Sequence, residues 1–396
     1  MKKKLLTATT IVALALGTLA GCGGKKEAGG LAGGGNSAET IKIGANLELT
    51  GGVAAFGASA FDGAKLAVKE INNAGGILGK KLELVQADNA SKGEESTRAV
   101  QRLISSDKVV AIVGAATSGN TLAALSVAAE KKVPMITPSG TAAKVTVDER
   151  SGKVNDWVFR ACFIDPFQGT VMGNFATKDL NAKTAAIYID TSSDYSKGLA
   201  KSFEEQFKKN GGQIVASESY QQKDTDFKAV LTRIKQKNPD VVYVPGYYEE
   251  VGKIVKQGRE LGITVPFLGG DGWDAPQLAE IAGKDNLNNT FFSNHYAADD
   301  KSPEVQSFVD SFKKEYGKTP DGFAILGYDS VNLIAQAIKR AGSTDTVKIK
   351  EALASTKDFK AASGTITYNE KHDPVKSAVV IELKDGKQTF KTKVNP

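Results

Sequence analysis

One pattern repeats along this chain from Ile41 onward and limits the folds open to it: a short β-rich run, a turn of Gly, Ser or Asp, then an amphipathic stretch closed by Gly. Ile41 to Leu47 reads as the first strand. Residues 59–73 read as the first helix, with Ala60, Ala64, Ala67, Val68 and Ile71 on one face and Gly75-Gly76 at its end. Further strands are predicted over 81–86, 109–113, 133–137, 185–189, 214–219, 241–244 and 266–268, and further helices after Ser118 and over 197–209, 227–236 and 249–261. Such alternation implies parallel sheets flanked by helices, an α/β fold. The pattern pauses near 144–168 and 290–303, and 396 residues are too many for one such sheet, so two α/β lobes with a cleft between them are expected. In open α/β sheets ligands bind beyond the carboxyl ends of the strands. The loops directly after strands are therefore the ones to inspect.

The N-terminus is a different kind of segment. Lys2, Lys3 and Lys4 precede a 16-residue uncharged stretch, Leu5 to Ala20, too short for a span of about 20 residues. It reads as a secretory signal, to be left out of the fold. Its end, Leu19-Ala20-Gly21-Cys22, resembles the lipobox of bacterial lipoproteins, which implies cleavage after residue 21 and lipidation of Cys22. Seven of the 17 residues from Gly23 to Glu39 are Gly, a composition that buries too little apolar surface to order itself and reaches roughly 20 to 25 Å as a coil. The globular part is thus expected on the extracytoplasmic face of a cell membrane, tethered by lipid.

Composition removes several functions. Without the three signal lysines the formal charge of +6 falls to +3, which is no nucleic-acid footprint. Two Cys, and two His at 295 and 372, suggest neither a zinc cluster nor a disulfide framework. In the stretch Gly75 to Lys81, Ala74 stands where a phosphate loop needs Gly and Lys81 where it needs Ser or Thr. No G-x-G-x-x-G follows the first strand and no G-x-S-x-G occurs, and Cys162 has no nearby His, so it reads as a buried small hydrophobe. No cofactor and no catalytic residue is expected.

Binding loops remain. Val109 to Gly114 runs into Ala115-Ala116-Thr117-Ser118-Gly119-Asn120 and a helix, which places a hydroxyl and free backbone N–H groups where a carboxylate would be welcome. Ile136-Thr137-Pro138-Ser139-Gly140-Thr141 repeats the arrangement after the next strand. Taken alone, each is more often a helix cap than a ligand site.

The chain resembles the type I periplasmic binding proteins of the leucine/isoleucine/valine-binding branch, which serve ABC importers. The resemblance rests on Leu49-Thr50-Gly51-Gly52-Val53-Ala54-Ala55-Phe56-Gly57, on Glu70-Ile71-Asn72-Asn73-Ala74-Gly75-Gly76-Ile77, and on Val113 to Gly119. It continues through Met135 to Thr141, Asp194-Tyr195-Ser196-Lys197-Gly198, Val244-Pro245-Gly246-Tyr247-Tyr248 and Gly269-Gly270-Asp271-Gly272, and spans residues 41–396. It implies a two-lobed fold, each lobe a mostly parallel sheet flanked by helices, with three interlobe crossings. Lobe one would hold 41–161 and 293–365, and lobe two 162–292 and 366–396, after a signal peptide (1–21) and a lipidated linker (22–40).

The same resemblance implies residue roles. Ser118 and Thr141 would hold a ligand α-carboxylate, while the Ser139 carbonyl and the Thr141 hydroxyl would receive its α-ammonium. Asp271 would supply the counter-charge, although the best-known members carry Glu at that point. Phe56, Ala115, Ala116, Tyr195, Tyr247 and Phe323, with Trp273 as an addition, would line the side-chain pocket. Glu48, in the first strand-end loop, would favour a polar or cationic ligand tail if it faced the cleft. The implied ligand is leucine, isoleucine or valine, the implied partner a membrane permease, and the implied state a monomer. Another neutral amino acid, an aliphatic amide or urea as ligand, and a sensor role at a membrane receptor, stay open as alternatives.

Overall fold

The computed structural model describes residues 40–396. The signal segment, Cys22 and the linker up to residue 39 lie outside the described residues. β1 (Ile41–Leu47) is buried along almost its whole length and pairs in parallel with β2 (Leu82–Asp88) on one side and β3 (Ala111–Gly114) on the other. Between β1 and β2 lies α1 (Ala54–Asn73), which starts five residues before the expected Ser59. Gly57 and Gly63 weaken the helical signal there, yet both are required by contact. A Cβ at Gly57 would collide with the Glu48 backbone, and one at Gly63 with the Ala324 carbonyl. α2 (Gly93–Ser105) and α3 (Ser118–Lys131) flank β3, and β4 (Met135–Thr137) and β5 (Val158–Arg160) complete a five-stranded parallel sheet of order β2-β1-β3-β4-β5.

The chain then leaves this sheet. α4 (Asp165–Asn174) leads to β6 (Thr184–Asp190), α5 (Asp194–Lys209), β7 (Gln213–Tyr220), α6 (Lys228–Gln236), β8 (Val241–Tyr243), α7 (Tyr248–Glu260), β9 (Phe267–Gly269), α8 (Gln277–Ala282) and β10 (Thr290–Asn294). It returns to the first lobe as α9 (Pro303–Tyr316), α10 (Gly322–Ala341), α11 (Thr346–Ala354) and a small hairpin, β11 (Phe359–Ala361) with β12 (Gly364–Ile366). α10 crosses α1 so closely that a Cβ at Gly327 would strike the Ala60 carbonyl. Finally β13 (Ala378–Lys384) pairs antiparallel with β10, and β14 (Lys387–Val394) antiparallel with β13. The second sheet runs β14-β13-β10-β9-β8-β6-β7, parallel from β10 to β7.

Three connections thus join the two lobes: β5 to α4, β10 to α9, and β12 to β13. The strands of both sheets end in loops that face one cleft, where α/β folds bind ligands. The lobes touch across it. Lys144 of the first pairs with Asp194 of the second at 2.8 Å, and the Phe56 ring meets Tyr247 and Tyr248 edge-on at 5.6 and 5.1 Å. No helix among the described residues is long and apolar enough to cross a membrane.

Candidate functional site

The first-lobe wall consists of two loops stitched to each other. Thr137 Oγ1 donates to the Ala115 carbonyl (2.6 Å) and accepts from Gly140 N (2.8 Å). Ser139 Oγ donates to the Ala116 carbonyl (2.7 Å), and Ser118 Oγ accepts from Ala142 N (3.1 Å). Arg160, fully buried, braces the second loop from behind. Its guanidinium donates to the carbonyls of Gly140 (2.7 Å) and Ala142 (3.2 Å) and lies 2.7 Å from the Asp373 carboxylate. Within this frame the Thr141 hydroxyl is buried beside Asp165 and makes no well-formed hydrogen bond among the described residues. Such a group is costly unless a ligand satisfies it.

Glu48 does not face the cleft. Its carboxylate turns inward and accepts from Ala116 N (2.9 Å), Thr117 N (3.0 Å), Thr117 Oγ1 (2.7 Å) and Asn120 Nδ2 (2.9 Å). A carboxylate has about four acceptor positions, so Glu48 is saturated. It also occupies two of the backbone N–H groups that made the start of α3 look like a docking place for a ligand carboxylate. Those still unused lie closer to Ser118.

The second-lobe wall carries charge. Asp271, just after β9, is 3% exposed. Its Oδ1 accepts from Gln168 Nε2 (3.0 Å) and its Oδ2 sits 2.9 Å from His295 Nε2. Gln168 also donates to Asp165 Oδ1 (3.0 Å) and accepts from Ser293 Oγ (2.8 Å), so one amide spans two buried carboxylates. Burial, with Asp271 adding like charge, pushes Asp165 up to about 7. The adjacent Thr141 hydroxyl opposes that rise without reaching hydrogen-bond geometry. Burial lowers His295 below the usual imidazole value, against the pull of Asp271. Tyr195 Oη accepts from Gly272 N (3.0 Å), and its ring stacks on Tyr247 at 5.2 Å.

Between the walls lies a small, nearly closed cavity lined by Phe56, Ala116, Thr117, Ser118, Ser139, Tyr195, Tyr247, Asp271, Gly272 and Phe323. Phe56 and Phe323 stack at 4.0 Å and form its apolar end. Eight of the eleven residues expected at the site meet here, while Thr141 is not part of the lining. Ala115 is withdrawn, because its carbonyl is held by Thr137 and Thr121. Trp273 is not in the lining either. Its indole N–H donates to the Val244 carbonyl (2.9 Å) and its ring packs on Phe292, in the core of the second lobe. Gln168, His295, Asp165 and Arg160 escaped the sequence reading, since each lies in a stretch with no motif and acts through a partner distant in sequence. Cys162 is buried and its thiol is pushed up to about 12, away from the reactive thiolate.

Residues 40–388 match the family described as periplasmic binding protein. The Leu/Ile/Val-binding protein BraC3 of Rhizobium johnstonii is 33% identical over 374 residues, 94% of this chain and 95% of that one. Among solved structures, the leucine binding protein LivK of Thermotoga maritima shares 40% identity with a TM-score of 0.85, covering 90% of this chain and 99% of its own. The branched-chain amino acid transporter substrate binding protein LivJ of Streptococcus pneumoniae, in complex with isoleucine, shares 41% identity with a TM-score of 0.85, covering 90% of this chain and 100% of its own. With two sheets facing one cleft and the family match running almost from end to end, the chain belongs to the periplasmic binding protein family.

Proposed function

We propose that this chain is the substrate-binding component of an ABC importer and captures a branched-chain amino acid, leucine, isoleucine or valine, between its lobes. The observation that carries the reading is the pairing of unlike walls around a small cavity: a buried carboxylate, Asp271, with acceptor positions to spare, opposite a rigid loop with an unsatisfied hydroxyl, Thr141. A zwitterion needs a counter-charge for its ammonium and neutral donors for its carboxylate, and the two walls offer one each. The ligand carboxylate would meet Ser118 and Thr141, and the ammonium would lie between Asp271, Thr141 Oγ1 and the Ser139 carbonyl. The aliphatic side chain would sit against Phe56, Ala116, Phe323 and Tyr247.

Capture would proceed by hinge closure about the three connecting segments. The ligand docks on the first lobe, and Asp271, Tyr195 and Tyr247 close over it. The closed form would be delivered to membrane permease subunits, with Cys22 as a lipid anchor holding the protein at the extracytoplasmic face. The bound isoleucine of the LivJ relative supports the ligand class. Native mass spectrometry of the protein purified without added ligand, followed by displacement, tests it. Leucine, isoleucine or valine should be released; an amide, a urea or an aromatic acid in their place would refute the reading.

A further inference from the structure

We infer that His295 is the positioning residue of the ammonium receptor: its Nε2–H holds Asp271 Oδ2 in place, and only the neutral imidazole leaves the Asp271 charge free for a ligand. The inference rests on the amino-acid reading above and extends it to a residue outside the pocket lining. Its basis is geometric. His295 follows β10 directly, at the start of the second crossing between the lobes, 4% exposed and stacked on Phe163 at 3.8 Å. Nε2 is 2.9 Å from Asp271 Oδ2, while Nδ1 is buried with no partner among the described residues.

An unpartnered ring nitrogen is tolerable as a bare lone pair. Once protonated it would be a buried donor without an acceptor, which is far less favourable. The neutral Nε2–H tautomer therefore fits this site. With Gln168 on Oδ1 and His295 on Oδ2, the carboxylate is fixed from both sides and its remaining lone pairs are directed. The charged groups around His295 are Asp271 and Asp274 from the turn after β9, and Lys376 from the segment before β13. Those around Asp271 are His295 and, through Gln168, Asp165 of α4, with the phenols of Tyr195, Tyr243 and Tyr247 close by. An imidazolium here would neutralise Asp271 and repel a ligand ammonium. By reciprocity, a bound ammonium must make His295 harder to protonate.

The test is the affinity of the purified protein for L-leucine by titration calorimetry from pH 5 to 8. In the wild type the affinity should weaken by up to about tenfold per pH unit once His295 begins to protonate, as one-proton linkage requires. His295→Gln keeps an amide donor near Nε2 but does not titrate. It should bind within about threefold of the wild type at pH 8 and lose the acidic limb, while His295→Ala should bind about tenfold or more weaker at pH 8. The dependence contributed by Asp165 near pH 7 is common to all three proteins and drops out of the comparison. An unchanged acidic limb in His295→Gln, or wild-type affinity in His295→Ala, overturns the inference while leaving the amino-acid reading intact. A wild type that binds no branched-chain amino acid at any pH overturns both. Should the variants not fold, imidazole NMR of the wild type decides, because the chain has only two His. Saturating leucine should move the titration of His295 to lower pH, and an unmoved titration overturns the inference.

Discussion

Glu48 and Asp271 are both buried carboxylates placed just after a strand, one in each lobe, and they do opposite things. Glu48 receives four donors from the loop that opens α3, and nothing of its charge is left for a ligand. Asp271 receives two side-chain donors and lines the cavity. Burial and residue type do not distinguish the two. What does is how many local N–H groups the next loop offers: the turn after β3 converges on Glu48, whereas the turn after β9 points its amides elsewhere, Gly272 N to Tyr195 and Trp273 N to the Gly270 carbonyl. The first carboxylate is a structural anion, and the second is the one we propose as the ammonium receptor.

Breaking each partner of this pair should give opposite signatures. Glu48→Ala strands the backbone N–H groups of Ala116 and Thr117 and the Asn120 amide in the interior, a loss of about 3 to 9 kcal/mol of stability at roughly 1 to 3 kcal/mol per orphaned group, read by denaturant unfolding. Asp271→Asn should leave stability within about 1 kcal/mol, since it also relieves repulsion with Asp165. Its effect falls on leucine affinity, about 2 to 5 kcal/mol weaker by calorimetry because the ligand ammonium loses its counter-charge.

Asp165 sharpens the contrast, because it is a third buried carboxylate and has too few donors. Its value in the folded chain is raised to about 7. The native state therefore holds that proton more tightly than the unfolded chain, so its contribution to stability is full below about pH 4 and is lost as pH rises towards 7. Asp165→Asn should remove that part of the decline and gain on the order of 3 kcal/mol relative to the wild type between pH 5 and pH 8. Asp321, likewise raised to about 7 by burial and by Asp274, leaves a residual slope in the variant. The smallest effect belongs to Thr141→Val. The hydroxyl makes no well-formed hydrogen bond among the described residues, so unfolding should be nearly unaffected and leucine affinity should fall by about 1 kcal/mol.

Most of the strand and helix pattern of residues 41–269 was legible in sequence because those elements carry their own periodicity and stop signals, while α2, β5 and α4 were not assigned. The return through α9 to α11 and the β13–β14 hairpin was not assigned element by element. Its helices are positioned by α1 and its antiparallel edge by β10, both distant in sequence. The cleft residues Ser118, Ser139, Thr141 and Asp271 were legible only through the family resemblance that their motifs carry, since alone each reads as a helix cap or a turn. Gln168 and His295 were not, since a lone Gln in a helix and a lone His after a strand acquire meaning only once folding brings them to Asp271. Trp273 misled in the other direction. It stands beside Asp271 in sequence, but the short helical turn directs its indole to the Val244 carbonyl and into the core.

Recognition of an ammonium group through Asp271 is the central proposal. The most direct measurement compares, by calorimetry at pH 7.5, L-leucine with 4-methylpentanoate, which has the same carboxylate and side chain but no α-ammonium. Leucine should bind at least about 30-fold more tightly, the lower end of what an unpaired buried charge costs, and Asp271→Asn should erase most of that preference. Equal affinity for the two ligands, or a preference that survives in Asp271→Asn, would contradict it.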